Sequence, residues 1–257
     1  MIHQSHKIST LLITYNEYNN LEKLLPKLCF TDEIIIVDSF SDDRSQELVS
    51  QFPKVQFVQR KFDDFSSQRN YALSLAKNEW ILFLDADEGL PDQLIEEIKQ
   101  IIGSIEKSYD AYYVYRKNHF MKKHLRYSGW QNDKIIRLFK KSKCFYKGYV
   151  HEQLQVNGTI GILKTRIEHF TYKSFDHYVY KLHQYADLRA KELYNRKVNP
   201  NVYHYFFKPA YRFFNSYFIR LGFLDGYEGL INGITQSYGV FLRYVKLREM
   251  KQKQSNT

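Results

Sequence analysis

The sequence predicts an α/β fold: a mostly parallel sheet flanked by helices, with a helical, aromatic-rich extension at its C-terminal end. Three observations predict it. Short aliphatic runs at 8–14 (ISTLLIT), 34–37 (IIIV) and 81–84 (ILFL) are bounded by polar segments, as strands buried on both faces of a parallel sheet are. Helical periodicity fills the intervals between these runs, which is the alternation that builds an α/β sheet. From about Tyr178 the pattern is helical to the end of the chain.

Taken in order, ISTLLIT is the first strand, and Leu21, Leu24, Leu25 and Leu28 follow it at helical spacing. IIIV is the second strand, with a helix around Gln46, Leu48 and Val49 behind it. VQFV at 55–58 reads as a third strand, and Ala72, Leu73, Leu75 and Ala76 belong to the helix that precedes ILFL. Pro91 suits the first turn of a helix through Leu94, Ile95, Ile98 and Ile101, because its missing N–H costs nothing there. AYYVYR at 111–116 and KIIRLF at 134–139 are further strands separated by a basic aromatic stretch. In the helical region, breaks are expected near Asn199-Pro200 and at Pro209. One apolar stripe runs through Ala210, Phe213, Phe214, Tyr217, Leu221 and Leu224, and another through Leu230, Ile234, Tyr238, Phe241 and Val245. Such stripes pack on the domain or a partner subunit, or lie at an anionic membrane surface. The expected division is residues 1–172 as the α/β domain and 173–257 as the extension.

The chain has 257 residues, of which 17% are aromatic and 44% hydrophobic, so it has ample apolar surface to offset its ordering entropy and disorder is excluded. Cys29 and Cys144 stand in no metal-binding spacing, which fits a reducing compartment. No apolar run approaches the roughly 18 residues of a spanning helix, and MIHQSHKIST lacks the apolar segment of a secretory signal. A cytoplasmic location is expected, with peripheral attachment to the inner face of the membrane open to the aromatic extension. The net charge of +10 is unevenly spread: residues 1–100 carry 10 Lys plus Arg against 17 Asp plus Glu, whereas all of the surplus lies beyond residue 100. That asymmetry suggests a cation in the first part and an anionic partner for the rest.

The polar residues that follow the strands are where an α/β sheet places its ligands. Thr14-Tyr15-Asn16-Glu17 follows the first strand, Asp38 closes the second, and Asp85-Ala86-Asp87-Glu88 closes ILFL. Asp85 and Asp87, one residue apart after a buried strand, can share a cleft and hold Mg²⁺ or Mn²⁺ together with phosphate oxygens. The same residues also fit an acidic loop that caps the next helix. Asp38 can accept from a base N–H or a ribose hydroxyl, or can cap the helix starting near Asp42.

ITYNE at 13–17, VDSFSDD at 37–43, QRNYAL at 68–73 and LFLDADE at 82–88, in that order and spacing, resemble glycosyltransferase family 2, with its nucleotide-sugar-binding GT-A fold. KIIRLFKK at 134–141 and GYVHE at 148–152 resemble the subgroup that contains bacterial lipopolysaccharide-core β-glucosyltransferases. The resemblance implies that Thr14, Tyr15, Asn16 and Glu17 line the nucleotide pocket, with Asp38 at the base or ribose and Arg69 at the diphosphate. It places Asp85 and Ala86 against the donor and assigns the metal, Mg²⁺ or Mn²⁺, to Asp85 and Asp87. Glu152 takes the role of base, and His151 that of metal ligand, diphosphate contact or base. Apart from the resemblance, the basic aromatic stretch itself suits the acceptor side of a cleft, with Trp130 stacking on a sugar or buried in the core and Asp133 or Arg137 orienting hydroxyls or phosphates. The implied activity is metal-dependent inverting transfer from a nucleotide sugar, a UDP-sugar first among them, to a surface-glycan or lipid-linked saccharide. A basic nucleic-acid-binding protein is the competing class, but it leaves the acidic residues at the strand ends unexplained. A family member without catalysis, serving as a scaffold, is a third reading.

Overall fold

Strand β1 (Ile8–Thr14) is flanked by two parallel neighbours, β2 (Glu33–Asp38) and β4 (Trp80–Asp85), and β3 (Val55–Gln59) extends the parallel set beyond β2. The computed structural model describes residues 7–104, 108–121, 123–148, 153–170, 172 and 174–255. Its chain divides into two compact units: Met1–Arg116 with Lys134–His169, and Lys117–Asp133 with Phe170–Thr257.

In the first unit the helices α1 (Tyr18–Leu24), α2 (Ser45–Val49), α3 (Phe65–Leu75) and α4 (Asp92–Gly103) alternate with the strands. Between β4 and α4 lies the short β5 (Glu88–Gly89). Pro91 stands at the cap of α4, one residue ahead of its first turn. β6 (Ala111–Phe120) and β8 (Lys134–Lys140) continue the sheet, and β8 runs antiparallel to both β4 and β6. The described order is β3-β2-β1-β4-β8-β6-β12-β5, with β11 (Ile160–Ile162) beside β6 and β12 (Ile167–His169) antiparallel to β5. β7 (Lys123–His124) pairs with the last residues of β6. β9 (Cys144–Lys147) and β10 (Gln153–Val156) form a separate antiparallel pair.

Successive strand residues face opposite sides of a sheet, and both sides are buried here. Leu12, Ile34, Ile36, Leu82 and Leu84 pack with Leu21 and Leu24 of α1 and Leu94, Ile95 and Ile98 of α4. Leu11, Ile35, Val37, Ile81 and Phe83 pack on the other side with Ala72 and Leu73 of α3. This two-sided burial is why the runs read as continuously aliphatic.

The second unit holds α5 (Phe175–Asn195), α6 (Lys208–Phe214) and α7 (Tyr227–Ser255). The segment 117–133 belongs with them because Asp225, 3% exposed, accepts the backbone N–H groups of Arg126 and Tyr127, both at 2.9 Å. Pro209 does not break the helix as expected. It occupies the first turn of α6, where no N–H is needed, and a π-helical turn at Tyr203–Phe207 leads into it. The break falls later, where Leu221 (φ 58) and Gly226 (φ 69) leave the helical region. The expected stripes also differ from the buried face. Phe214, Leu221, Leu224, Ile234, Tyr238 and Phe241 are exposed, whereas Val240, Leu242, Tyr244 and Leu247 of α7 are buried. Among the described residues no helix is long and apolar enough to cross a membrane.

Candidate active site

The loops after β1 and β2 are tied together by one carboxylate. Asp38 is fully buried; its Oδ1 accepts from the hydroxyls of Thr14 (2.9 Å) and Ser41 (2.5 Å), and its Oδ2 accepts the Ser41 N–H at 2.7 Å. Asp38, expected at the base or ribose, thus satisfies three donors inside the protein and fixes the two loops relative to each other. Asn16, at φ 56, donates its N–H to Ser41 Oγ and accepts the Asp42 N–H on its side chain. Glu17 accepts from the Asn20 side chain at 2.6 Å at the start of α1. Asp43, and not Asp42, accepts the Tyr18 and Ser45 N–H groups at the starts of α1 and α2. What these loops present outward are two aromatic rings, Tyr15 at 59% and Phe40 at 56% exposure. Phe40 is held at φ 60, a left-handed conformation that is costly for a bulky side chain.

Three consecutive residues of α3 join three other pieces of the site. The helix starts at Asp64, whose side chain accepts the Ser67 N–H at 2.9 Å in the manner of an N-cap. Gln68, fully buried, accepts from Arg60 at 2.5 Å and donates to Ser39 Oγ at 3.3 Å. Arg69 donates from Nη2 to Asp85 Oδ1 at 2.8 Å, and its guanidinium lies over the rings of Phe83 and Tyr146. Asn70 pairs with the backbone of Tyr146 in β9 through both its amide groups, at 2.8 and 2.9 Å.

Arg137 of β8, 1% exposed, donates to Asp85 Oδ2 and to Glu88 Oε1, the latter from Nε at 3.1 Å and Nη2 at 2.7 Å. Glu88 Oε2 in turn accepts the Asp85 N–H at 3.1 Å. Two cations and two carboxylates thus close a buried network at the end of β4. Burial opposes ionisation of Asp85, but Arg137 and Arg69 overcome it and hold its carboxyl well below the usual range. Glu88 moves the other way, raised by burial and by the Asp85 charge against the pull of Arg137. Arg137 is raised above its ordinary value because the two carboxylates outweigh the cost of its burial.

Arg137 was expected among the acceptor contacts; its place on an inward-facing position of a central strand puts it instead under the DAD turn. Asp85 was expected to bind metal jointly with Asp87, yet both of its oxygens are engaged by arginine. Asp87 instead lies beside His169 at the end of β12, with Oδ1 3.7 Å from Nε2. A carboxylate oxygen and an imidazole nitrogen are a donor pair that Mn²⁺ accepts, while Mg²⁺ favours oxygen. The described residues hold no group of three His, Cys, Asp or Glu that could hold a metal, so further ligands would come from outside them. Ala86, between the two aspartates, is 8% exposed.

Residues 9–165 match the family described as Glycosyl transferase family 2. The chain belongs to that family. This family 2 glycosyltransferase is 28% identical over 97% of its length to an uncharacterized glycosyltransferase of Rickettsia typhi, covering 89% of that protein. It is 25% identical to the lipopolysaccharide core biosynthesis glycosyltransferase LpsC of Rhizobium meliloti, over 93% of this chain and 91% of LpsC. Its fold is GT-A. In structure it is similar to S. aureus TarS 1-349 in complex with UDP-GlcNAc, with a TM-score of 0.51 at 14% identity over 96% of this chain and 92% of that one.

Of the remaining expected site residues of this glycosyltransferase, His151 and Glu152 lie outside the described residues. Trp130 is partly buried and packs with Phe120, Leu125 and Tyr178 within the second unit, the core placement that its size also allowed. Asp133 accepts from the Asn118 side chain at 3.1 Å in the same unit. Glu88 and His169 join the site from outside the expected residues. Glu88 carried a signal, standing three residues after Asp85 so that a turn folds its carboxylate back on that residue's N–H. His169 carried none, because 82 positions separate it from Asp87 and only the pairing of β12 with β5 brings them together.

Proposed function

We propose that the protein catalyses metal-dependent inverting transfer of a sugar from a nucleotide-sugar donor to an anionic surface-glycan or lipid-linked saccharide, of the lipopolysaccharide-core type or one like it. The observation that carries the reading is Asp87 beside His169, set against an arginine-locked Asp85 at the carboxyl end of β4. Asp87 and His169 would hold Mg²⁺ or Mn²⁺, which supplies charge to stabilise the leaving diphosphate. Arg69 and Arg137 hold Asp85 ionised and fixed, so that the turn carrying Asp87 has one geometry. Tyr15 and Phe40 offer exposed faces for a nucleobase at the strand ends where an α/β sheet takes its ligands. TarS in complex with UDP-GlcNAc supports a UDP-sugar as donor, and LpsC supports a lipopolysaccharide-core acceptor.

Glu152 is the base in this reading. As the acceptor hydroxyl oxygen bonds to the anomeric carbon, its proton passes to the Glu152 carboxylate, and the bond from that carbon to the diphosphate oxygen breaks to release the nucleoside diphosphate. The exposed aromatic residues of the second unit, Phe206, Phe207, Phe214 and Phe218 among them, suit peripheral attachment at an anionic membrane face in the cytoplasm.

A thermal-shift panel of nucleotide sugars with and without Mn²⁺ tests the reading, because a ligand that binds the native state raises its apparent stability. A metal-dependent rise with one nucleotide sugar is expected. No response to any of them, together with salt-sensitive affinity for random RNA, would overturn it.

A further inference from the structure

Within the second unit, α5, α6 and α7 enclose a cleft of about 830 Å³ that none of the roles above uses. Its charge is one-sided. Arg189, Arg196, Lys208, Arg212 and Arg243 line it, and Glu192 is the one carboxylate among the lining side chains. Glu192 is shared between Arg189 (2.5 Å) and Arg196 (2.7 Å) and acts on Arg243 as well, so a single carboxylate faces five cations in the lining. Lys208 donates to the neutral hydroxyl of Tyr244 at 2.9 Å, and Arg212 to the amide oxygen of Gln236 at 2.5 Å. Burial and neighbouring cations lower both Arg212, beside Arg220, and Arg243, beside Arg189 and Arg212.

The second feature of the cleft is aromatic. Tyr185, Tyr203, Tyr211 and Tyr244 stand among the cations; the first three are exposed, at 61%, 55% and 65%. A tyrosine ring gives an apolar face and a hydroxyl at its rim, which matches a sugar ring with C–H groups on its face and hydroxyls around it. A guanidinium gives paired donors for phosphate or carboxylate oxygens. A cleft for an uncharged sugar needs no such excess of cations, and one for free inorganic phosphate needs no exposed rings.

We propose that this cleft between α5, α6 and α7 binds a saccharide bearing phosphate or carboxylate groups, the charged portion of the acceptor. The assignment rests on the transferase reading for its word acceptor, while the cleft itself stands on its own lining. Arg212 and Arg243 hold the anionic group and the tyrosine faces hold the ring.

The test is saturation-transfer NMR on the full chain with trehalose 6-phosphate, trehalose and inorganic phosphate, with UDP-glucose binding followed in the same samples. Trehalose 6-phosphate should bind at least tenfold more tightly than either of the other two. Arg243→Gln and Arg212→Gln should each weaken it about tenfold and Arg243→Lys by less, while UDP-glucose binding keeps its wild-type value in all three. Circular dichroism checks that each variant is folded. Equal binding of trehalose, equal binding of phosphate alone, or undiminished binding in both glutamine variants would each overturn the proposal. So would binding to phosphatidylglycerol vesicles without binding to the sugar phosphate. Loss of the UDP-glucose response with sugar-phosphate binding intact counts against the transferase reading and leaves the cleft assignment standing.

Discussion

Arg137 holds Asp85 from beneath: a guanidinium 1% exposed on β8 donates to the carboxylate that ends β4, and reaches Glu88 at 2.7 Å with the same nitrogen. Removing one partner of a buried ion pair leaves the other charge uncompensated, at a cost of roughly 3–5 kcal/mol. Arg137→Met should therefore lower stability by about that amount in urea unfolding, and lower it further than Arg69→Met, which leaves Arg137 on both carboxylates. Equal losses in the two variants would show that the network is not organised around Arg137.

Glu88→Gln tests the same network from its other end. A glutamine side chain offers one acceptor oxygen where Glu88 serves Arg137 and the Asp85 N–H through two. One donor is left unsatisfied, at about 1–3 kcal/mol. The loss should fall as pH rises above the ordinary glutamate range. Glu88 has a raised pKa in the folded state, so the stability it contributes is fully present below its unfolded pKa and is lost as pH rises through the folded one. Urea titrations of the variant and the parent protein at pH 4.5 and pH 8 read the difference; a gap that widens with pH would contradict it.

A carboxylate shifted in the opposite direction gives the opposite sign. Asp110 accepts the Thr159 N–H at 2.9 Å and Lys140 Nζ at 3.0 Å, and these bonds, the backbone one foremost, lower it to about 2. A depressed folded pKa contributes stability that is present above the unfolded value and is lost as pH falls through the folded one. Asp110→Asn should thus be less stable than the parent protein at neutral pH, and the two should converge as pH falls from about 4 toward 2. Parallel acid-unfolding curves would remove Asp110 from the acid response.

The sheet was legible because each strand buried on both faces leaves an unbroken aliphatic run, and helical spacing survives between the runs. The site was legible where chemistry and chain order coincide: the loops after β1, β2 and β4 carry their polar residues in sequence with the strands that place them. It was not legible where the decisive neighbour comes from a distant element. Asp38 and Arg137 suit a nucleotide or an acceptor by residue type, whereas the three donors around Asp38 and the two carboxylates around Arg137 become visible only in the fold. His169 became visible through the pairing of β12 with β5. In the helical unit, periodicity identified the helices and not their buried face, since an aromatic-rich helix has apolar residues on more than one side.

Asp87 and His169 supply the prediction most specific to the proposed chemistry. Asp87→Asn and His169→Ala should each abolish the Mn²⁺-dependent part of nucleotide-sugar binding and lower transfer by at least a hundredfold, with unfolding free energies close to the parent protein. Calorimetric titration with and without Mn²⁺ measures it. Metal-dependent binding that survives His169→Ala but not Asp87→Asn would leave Asp87 a ligand and remove His169 from that role.

Phe40 is held at φ 60 with 56% of its surface exposed, a conformation that costs about 1 kcal/mol or more for a residue with a Cβ. Glycine adopts it freely. Backbone strain retained at an exposed ring, on the loop that Asp38 anchors through Ser41, is explained if the ring meets a ligand. Phe40→Gly should then raise or preserve stability in urea unfolding while weakening nucleotide-sugar binding about tenfold, in line with the roughly 1–3 kcal/mol that an aromatic face contributes to stacking on a base. Phe40→Tyr, which keeps the ring, should bind as the parent protein does. A glycine variant that gains stability and loses no affinity would leave the strained ring without a part in donor recognition.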